Sequence, residues 1–212
     1  MSSNPQLENI EKAFYSDGYR FGMKVVEAGM EKSALFSALK EMYGAVDSFI
    51  ESLLEFANRQ GQLISCKKGC EWCCHQPVFA MDYELAYLNQ FIQKNMSRRG
   101  LTEINKRANE KQKKLDALEK EDLLNSKYPC PLLKDGSCLA YEARPMACRI
   151  YLSIDVTTCL SFYKIPEDKT NYPALLDFPM RAGRMMSEGF KAALKTNRVV
   201  TKEYRIEEKL CS

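Results

Sequence analysis

The chain has 212 residues, 45% of them hydrophobic and 28% charged, the balance of a globular domain rather than of a disordered chain or a membrane bundle. Thirty-one Lys and Arg against 28 Asp and Glu leave a formal charge of +3, far from the basic excess of a nucleic-acid-binding surface. No apolar run approaches the roughly 20 residues that span a bilayer, and the opening residues lack the apolar core and cleavage site of a secretory signal, so a cytoplasmic protein with neither nucleic acid nor membrane as partner is expected.

Residues 1–62 are expected to form two helices paired as an antiparallel hairpin. The first, from about Gln6 to Glu27, carries Ile10, Phe14, Tyr15, Phe21 and Val25, with Gly18 and Gly22 weakening its continuity. The second, from about Ser33 to Gln60, sets Leu35, Leu39, Met42, Val46, Phe49, Leu53 and Phe56 at alternating intervals of four and three, one apolar stripe, and Gly61 stops it. Leu63 to Pro77 reads as irregular backbone and Val78 to Met81 as a short extended piece. Asp82 then caps a helix to about Asn95 that turns Leu85, Leu88 and Phe91 or Ile92 inward.

Arg98-Arg99-Gly100 reads as a link, after which Thr102 caps a charged helix to about Asn125 with Ile104, Ala108, Leu115, Leu118 and Leu123 as its inner face. Glu110 to Glu121 mixes both signs, as a solvated face does, and is assigned no function. Residues 126–166 hold Pro129, Pro131, Gly136, Pro145 and Pro166, a composition of turns and short extended pieces. Leu176, Met180, Gly183, Met186, Phe190 and Leu194 fit a last helix, followed by a polar tail from about Thr196. The expected fold is mainly α, with helices packed around an irregular cysteine-rich metal-binding core and few or no short strands. Its expected parts are a helical hairpin 1–62, a cysteine-cluster core 63–165 and a C-terminal helix and tail 166–212, together one compact unit.

Cysteine is the outlier. Of the nine in the chain, Cys66, Cys70, Cys73 and Cys74 fall within nine residues, Cys130, Cys138, Cys148 and Cys159 within thirty, and Cys211 stands apart. In a reducing compartment such spacings mark metal ligands or redox groups more often than structural disulfides, although a buried cysteine can also serve as a small hydrophobe. Thiolates three or four residues apart can face one centre on a single turn, while the adjacent Cys73 and Cys74 point apart in any regular backbone. Eight thiolates are two four-coordinate sites, or one site and spectators. They suit either zinc, which closes a tetrahedral site, or an iron-sulfur cluster, which supplies redox chemistry, with a four-iron four-sulfur cluster the favoured expectation.

These residues resemble the YkgJ-type cysteine-cluster family, a zinc- or iron-chelating domain. Its first motif is matched by Cys66, Cys70, Cys73 and Cys74, followed by Val78-Phe79 and the acidic Asp82 and Glu84. Its second is matched by Cys130-Pro131-Leu132, Gly136, Cys138, Tyr141, Arg144-Pro145 and Cys148-Arg149, with Cys159 as the eighth cysteine. The resemblance spans residues 63 to 165 and implies metal binding more firmly than any reaction. Proteins similar to it are often labelled iron-sulfur oxidoreductases, and flagellin lysine methylases carry a related cluster motif.

Around the cysteines, Arg144 and Arg149 are expected to offset the charge of thiolate-bound metal or else to form a salt bridge on a turn, Tyr141 to pack in the core or else to donate to sulfur, and Trp72 to shield a cluster or fill the core. His75, the sole histidine, is an accessory ligand, a relay or a surface residue, and multi-histidine sites are excluded. Three readings compete: an eight-cysteine iron-sulfur or zinc protein in redox, modification or metal handling; a structural zinc module whose helices bind a protein partner or a second copy; and a radical S-adenosylmethionine enzyme. The last draws on Cys66-x3-Cys70-x-Trp72-Cys73 but lacks the expected strand and helix repeats.

Overall fold

The computed structural model describes residues 5–62, 64 and 66–210; Cys211 lies outside them. In chain order the elements are α1 (Pro5–Glu27), α2 (Lys32–Arg59), a 3₁₀ turn (Trp72–His75), β1 (Phe79–Met81), α3 (Asp82–Asn95), α4 (Arg98–Asp116) and α5 (Lys120–Leu123). Then come β2 (Leu133–Lys134), β3 (Ser137–Cys138), a second 3₁₀ turn (Tyr141–Ala143), α6 (Met146–Arg149), α7 (Val156–Lys164), α8 (Asp177–Thr196), β4 (Glu203–Arg205) and α9 (Ile206–Lys209). The protein is mainly helical, and among the described residues its sheets are two antiparallel pairs, β1 with β4 and β2 with β3. The chain divides into two compact units. Unit 1 holds Met1–Gln62, Met146–Leu152 and Leu176–Lys202; unit 2 holds Leu63–Pro145, Ser153–Leu175 and Glu203–Ser212.

Unit 1 is a helix assembly whose periodicity is readable in the sequence. Leu39, Met42 and Val46 of the α2 stripe are buried, joined by Phe36 and Ile50, but Phe56 is 57% exposed because the stripe outruns its partners. The helix closes with a Schellman pattern, the Gln62 amide donating to Ala57 O at 2.9 Å and the Gly61 amide to Asn58 O at 3.0 Å, and Gly61 supplies the left-handed φ of +77°. Helix α1 is continuous through its glycines, and its main partner is α8. A Cβ on Gly18 would lie 1.9 Å from Met186 O and one on Gly189 2.0 Å from Tyr15 O, so the two helices meet backbone to backbone. Glycine there exchanges helix propensity for close approach. Phe14, Phe49 and Phe178 pack edge to face beside that contact, with centroids 5.1 to 6.3 Å apart.

Unit 2 departs more often from the expectations above. Helix α3 keeps its expected end and buries Leu85, Leu88 and Ile92, but Met81 rather than Asp82 is its N-cap, with the Glu84 carboxylate accepting the Met81 amide at 3.1 Å. Arg98-Arg99-Gly100 is the first turn of α4, because Ser97 caps it by accepting the Gly100 amide at 3.2 Å. Helix α4 ends at Asp116. Residues 156–164 form α7 where turns were expected, started by Asp155, whose carboxylate accepts the Thr157 amide at 2.8 Å. The C-terminal stretch is no polar tail: Glu203, Tyr204 and Arg205 pair with Met81, Ala80 and Phe79, and Arg205, Ile206, Glu207 and Leu210 are buried.

Candidate metal centre

The first cysteine motif lies in irregular backbone of unit 2. The Cys70 amide donates to Lys67 O at 3.0 Å, and Gly69 takes a φ of +94° that permits this reversal between Cys66 and Cys70. Cys73 and Cys74 ride the first 3₁₀ turn, where neighbours diverge by about a third of a turn. The second motif is attached to it through the Cys130 amide, which donates to Cys74 O at 2.7 Å. Cys138 closes the β2–β3 hairpin, whose Asp135-Gly136 turn has positive φ at both residues, the geometry of a tight two-residue loop. The Arg107 guanidinium of α4 donates to Leu133 O at 2.7 Å and holds that hairpin. Cys159 sits on α7, and Tyr163 one turn further packs its ring 5.2 Å from Trp72 and 4.7 Å from His75, fastening α7 to the 3₁₀ turn.

All eight described cysteines are thiols; Cys159 is buried and the other seven are half-buried. Seven belong to unit 2, and Cys148 belongs to unit 1 on α6. Within unit 2 the thiols act on one another. Burial pushes the Cys66 thiol up, against a hydrogen bond from the Ser153 amide, and the charges of Cys73, Cys70 and Cys159 push it further. Burial raises Cys159 likewise, opposed by the Ser153 hydroxyl and reinforced by Cys70 and Cys73. Cys138 is pushed up to about 11, first by burial and then by Cys130, against the Ala140 amide and the Arg144 cation. Burial also raises Cys130, with Lys111 opposing. Cys73 is held below the usual thiol range by a hydrogen bond from Cys74, its own backbone amide and Arg144, in spite of burial.

Among the described residues no group of three or more Cys, His, Asp or Glu stands in position to hold a metal ion. The thiols of unit 2 are therefore neighbours without being convergent. As a donor set they suit a thiophilic metal: several sulfurs from three chain segments, in half-buried backbone, with a guanidinium acting on two of them.

The surrounding residues divide. Arg144 lies 3.7 Å over the Tyr141 ring and donates to Tyr141 O at 2.9 Å, which aims its charge among the thiols. Arg149, 1% exposed, pairs with Asp47 of α2 and lies 4.2 Å from the Tyr43 ring, all within unit 1. Trp72 is half-buried against Tyr163, and the His75 ring is 3.2 Å from Glu71 O.

Four further residues had no sequence signal. Ser153 is 3% exposed and serves both Cys66 and Cys159. Tyr163 carries the aromatic clasp. Lys111, in the stretch expected to be solvated, is 5% exposed, donates to Gln76 O at 3.3 Å and lies 3.8 Å from the buried carboxylate of Glu207. Both of these charges act on Cys130.

No curated protein and no solved structure matches the chain. One family model does, over residues 65–171, about half of the chain, with the description "CxxCxxCC: Putative zinc- or iron-chelating domain". The matched stretch takes in both cysteine motifs, and the chain belongs to the CxxCxxCC family.

Proposed function

We propose that this protein binds zinc or iron through cysteines of unit 2, drawn from Cys66, Cys70, Cys73, Cys74, Cys130, Cys138 and Cys159. The observation that supports this is the gathering of separate segments around Cys73: the first motif, the β2–β3 hairpin and α7 all bring sulfur whose charge acts on a neighbouring thiol. A bound metal would take the place of protons on these sulfurs. Arg144 offsets the resulting negative charge, and Tyr141 holds Arg144 in place.

Of the two occupants, a four-iron four-sulfur cluster supplies electron transfer or a modification reaction, whereas zinc supplies a closed structural or metal-handling site. The radical S-adenosylmethionine reading gains no support from the fold, because the sheets among the described residues are two-stranded and antiparallel. Anaerobic purification followed by iron and zinc analysis, acid-labile sulfide and a visible spectrum is the test. Iron with matching sulfide and a band that bleaches on reduction selects the cluster. Zinc without sulfide or colour selects the closed site, and neither metal at stoichiometric level overturns the proposal.

A further inference from the structure

Half-buried Lys127 stands in unit 2 without a counter-charge. Its Nζ lies 3.6 Å from the centre of the Phe162 ring and donates to Asn125 O at 2.7 Å, and among the described residues no carboxylate pairs with it. A lysine ordinarily keeps its proton because water or a carboxylate solvates the ammonium, and a ring face with one carbonyl replaces only part of that solvation. The setting is apolar. Phe162 is buried, the Tyr172 ring stands 5.8 Å from it, and Leu124, Ile165 and Tyr172 are exposed on the two segments that meet at the amine. Buried Asn125 ties those segments together, its Nδ2 donating to Pro166 O at 3.4 Å.

The charged groups of the same surface are engaged or solvated. Asp122 pairs with Lys169 at 2.8 Å, and Asp168 accepts the Thr170 amide and hydroxyl at 2.9 and 2.7 Å. Lys120, Glu121, Lys164 and Glu167 are exposed, and from α4 Lys114 lies over the Tyr128 ring at 5.3 Å. Lys169 is thus a comparison within one surface: its hydrogen bond to Asp122 pushes it up, whereas burial pushes Lys127 down to about 8. The Phe162 face favours the charged form and returns part of that shift.

Unprotonated, Nζ is a nucleophile at a surface that accepts an apolar group. Acylation converts an ammonium that burial penalises into a neutral amide, whose remaining N–H can stay on Asn125 O while the acyl chain meets the exposed apolar side chains. Glu121 and Glu167, on the same segments, oppose an anionic donor such as an acyl phosphate, so an uncharged thioester is the fitting substrate.

We propose that Lys127 is an acylation site whose Nζ takes a short acyl group from a thioester. The Nζ lone pair attacks the thioester carbonyl carbon, the C–N bond forms as the C–S bond breaks, and the sulfur leaves as a thiol with the proton that nitrogen gives up. Nothing is oxidised or reduced. The product removes the cation from the Phe162 ring, and the inference is independent of metal binding.

The test uses the wild-type full chain and N,S-diacetylcysteamine, an uncharged acetyl thioester. Hydroxylamine then strips acetyl from sulfur and leaves it on nitrogen, and peptide mass spectrometry gives the rate at each lysine. At neutral pH an amine titrating at about 8 is unprotonated about a hundred times more often than an ordinary lysine. A less basic amine is a weaker nucleophile, so the expected advantage of Lys127 over Lys169 is about ten-fold. The Lys127 rate should level off at a lower pH than the Lys169 rate, and in concentrated urea the two should react alike. Acetylation of Lys127 no faster than of Lys169, coincident pH profiles, or an advantage that persists in urea overturns the proposal.

Discussion

The two units of this protein are held together by different physics. Unit 1 is long helices in close contact: an apolar stripe on α2, and α1 against α8 with glycines removing the side chains that would keep the backbones apart. Unit 2 adds many short elements and loops to the apolar faces of α3 and α4, and polar contacts order those added pieces: a cysteine amide on a cysteine carbonyl, a guanidinium on the hairpin, and a buried cluster in which Lys111 and Arg205 flank Glu207. Hydrophobic packing is distributed and tolerates the loss of one contact better than a buried charge tolerates the loss of its partner. A metal-binding unit has reason to be built the second way, since its ligands must sit on irregular backbone and its anionic sulfurs must be balanced.

The contrast can be broken most severely in unit 1 by adding atoms. Gly189→Val places a side chain on the Tyr15 carbonyl and is expected to cost about 3 kcal/mol, because backbone rather than a flexible side chain must yield. A denaturant midpoint within error of wild type would remove the close-contact account. In unit 2 the matching change removes a charge. Lys111→Met leaves Glu207 buried with Arg205 as its remaining cation and is expected to cost about 3 kcal/mol, the lower end for stranding one member of a buried pair. Lys111→Met with Glu207→Met should recover most of that loss, and failure of the double variant to do so would show that packing rather than charge is at stake. Asp47→Ala carries the comparison back to unit 1, where the fully buried Arg149 loses a partner that is itself partly solvated. About 2 kcal/mol is expected, reduced from the fully buried case by water at Asp47.

Smaller effects sharpen the comparison through pH. Burial raises the Glu207 carboxyl above 4.5, with Lys111 and Arg205 opposing, so the folded state binds this proton more tightly than the unfolded chain does. The stability it contributes is complete below about pH 4.5 and is lost as pH climbs through the raised folded value. Glu207→Gln should therefore gain on wild type as urea midpoints are followed from pH 4 to pH 8, and parallel profiles would contradict the assignment. Metal loading should show the thiol counterpart. With Cys66 and Cys159 raised, both sulfurs carry their protons at neutral pH, so loading at pH 7 releases protons and weakens as pH falls. Proton uptake or release measured in weak buffer during zinc addition checks this, and a pH-independent affinity would exclude these thiols as ligands.

What was legible in advance follows the same division. The α2 stripe, the end of α3 at Asn95 and α8 were readable because burial on a helix repeats every three to four residues, and that repeat is written in local sequence. Helix α7 was obscured by the prolines around it, and α4 was delayed by a glycine that Ser97 in fact caps. Lys111 looked solvated because its neighbours are, and Glu203 to Leu210 looked like a tail because an edge strand with charged residues has no apolar run to announce it. The cysteine motifs were visible as spacing, yet Ser153 and Tyr163 carry no pattern that distinguishes them from any other serine or tyrosine.

By itself the sequence determined that this is a mainly helical chain of the CxxCxxCC family with its thiols in two motifs, because periodicity and spacing are local properties. Only the tertiary structure decided which thiols neighbour which, that Cys148 stands in unit 1 with Arg149, and that the C-terminal strand completes the cysteine-bearing unit. Those facts depend on hydrogen bonds and buried charges between residues far apart in the chain, and such contacts leave no periodic trace in either partner's own sequence.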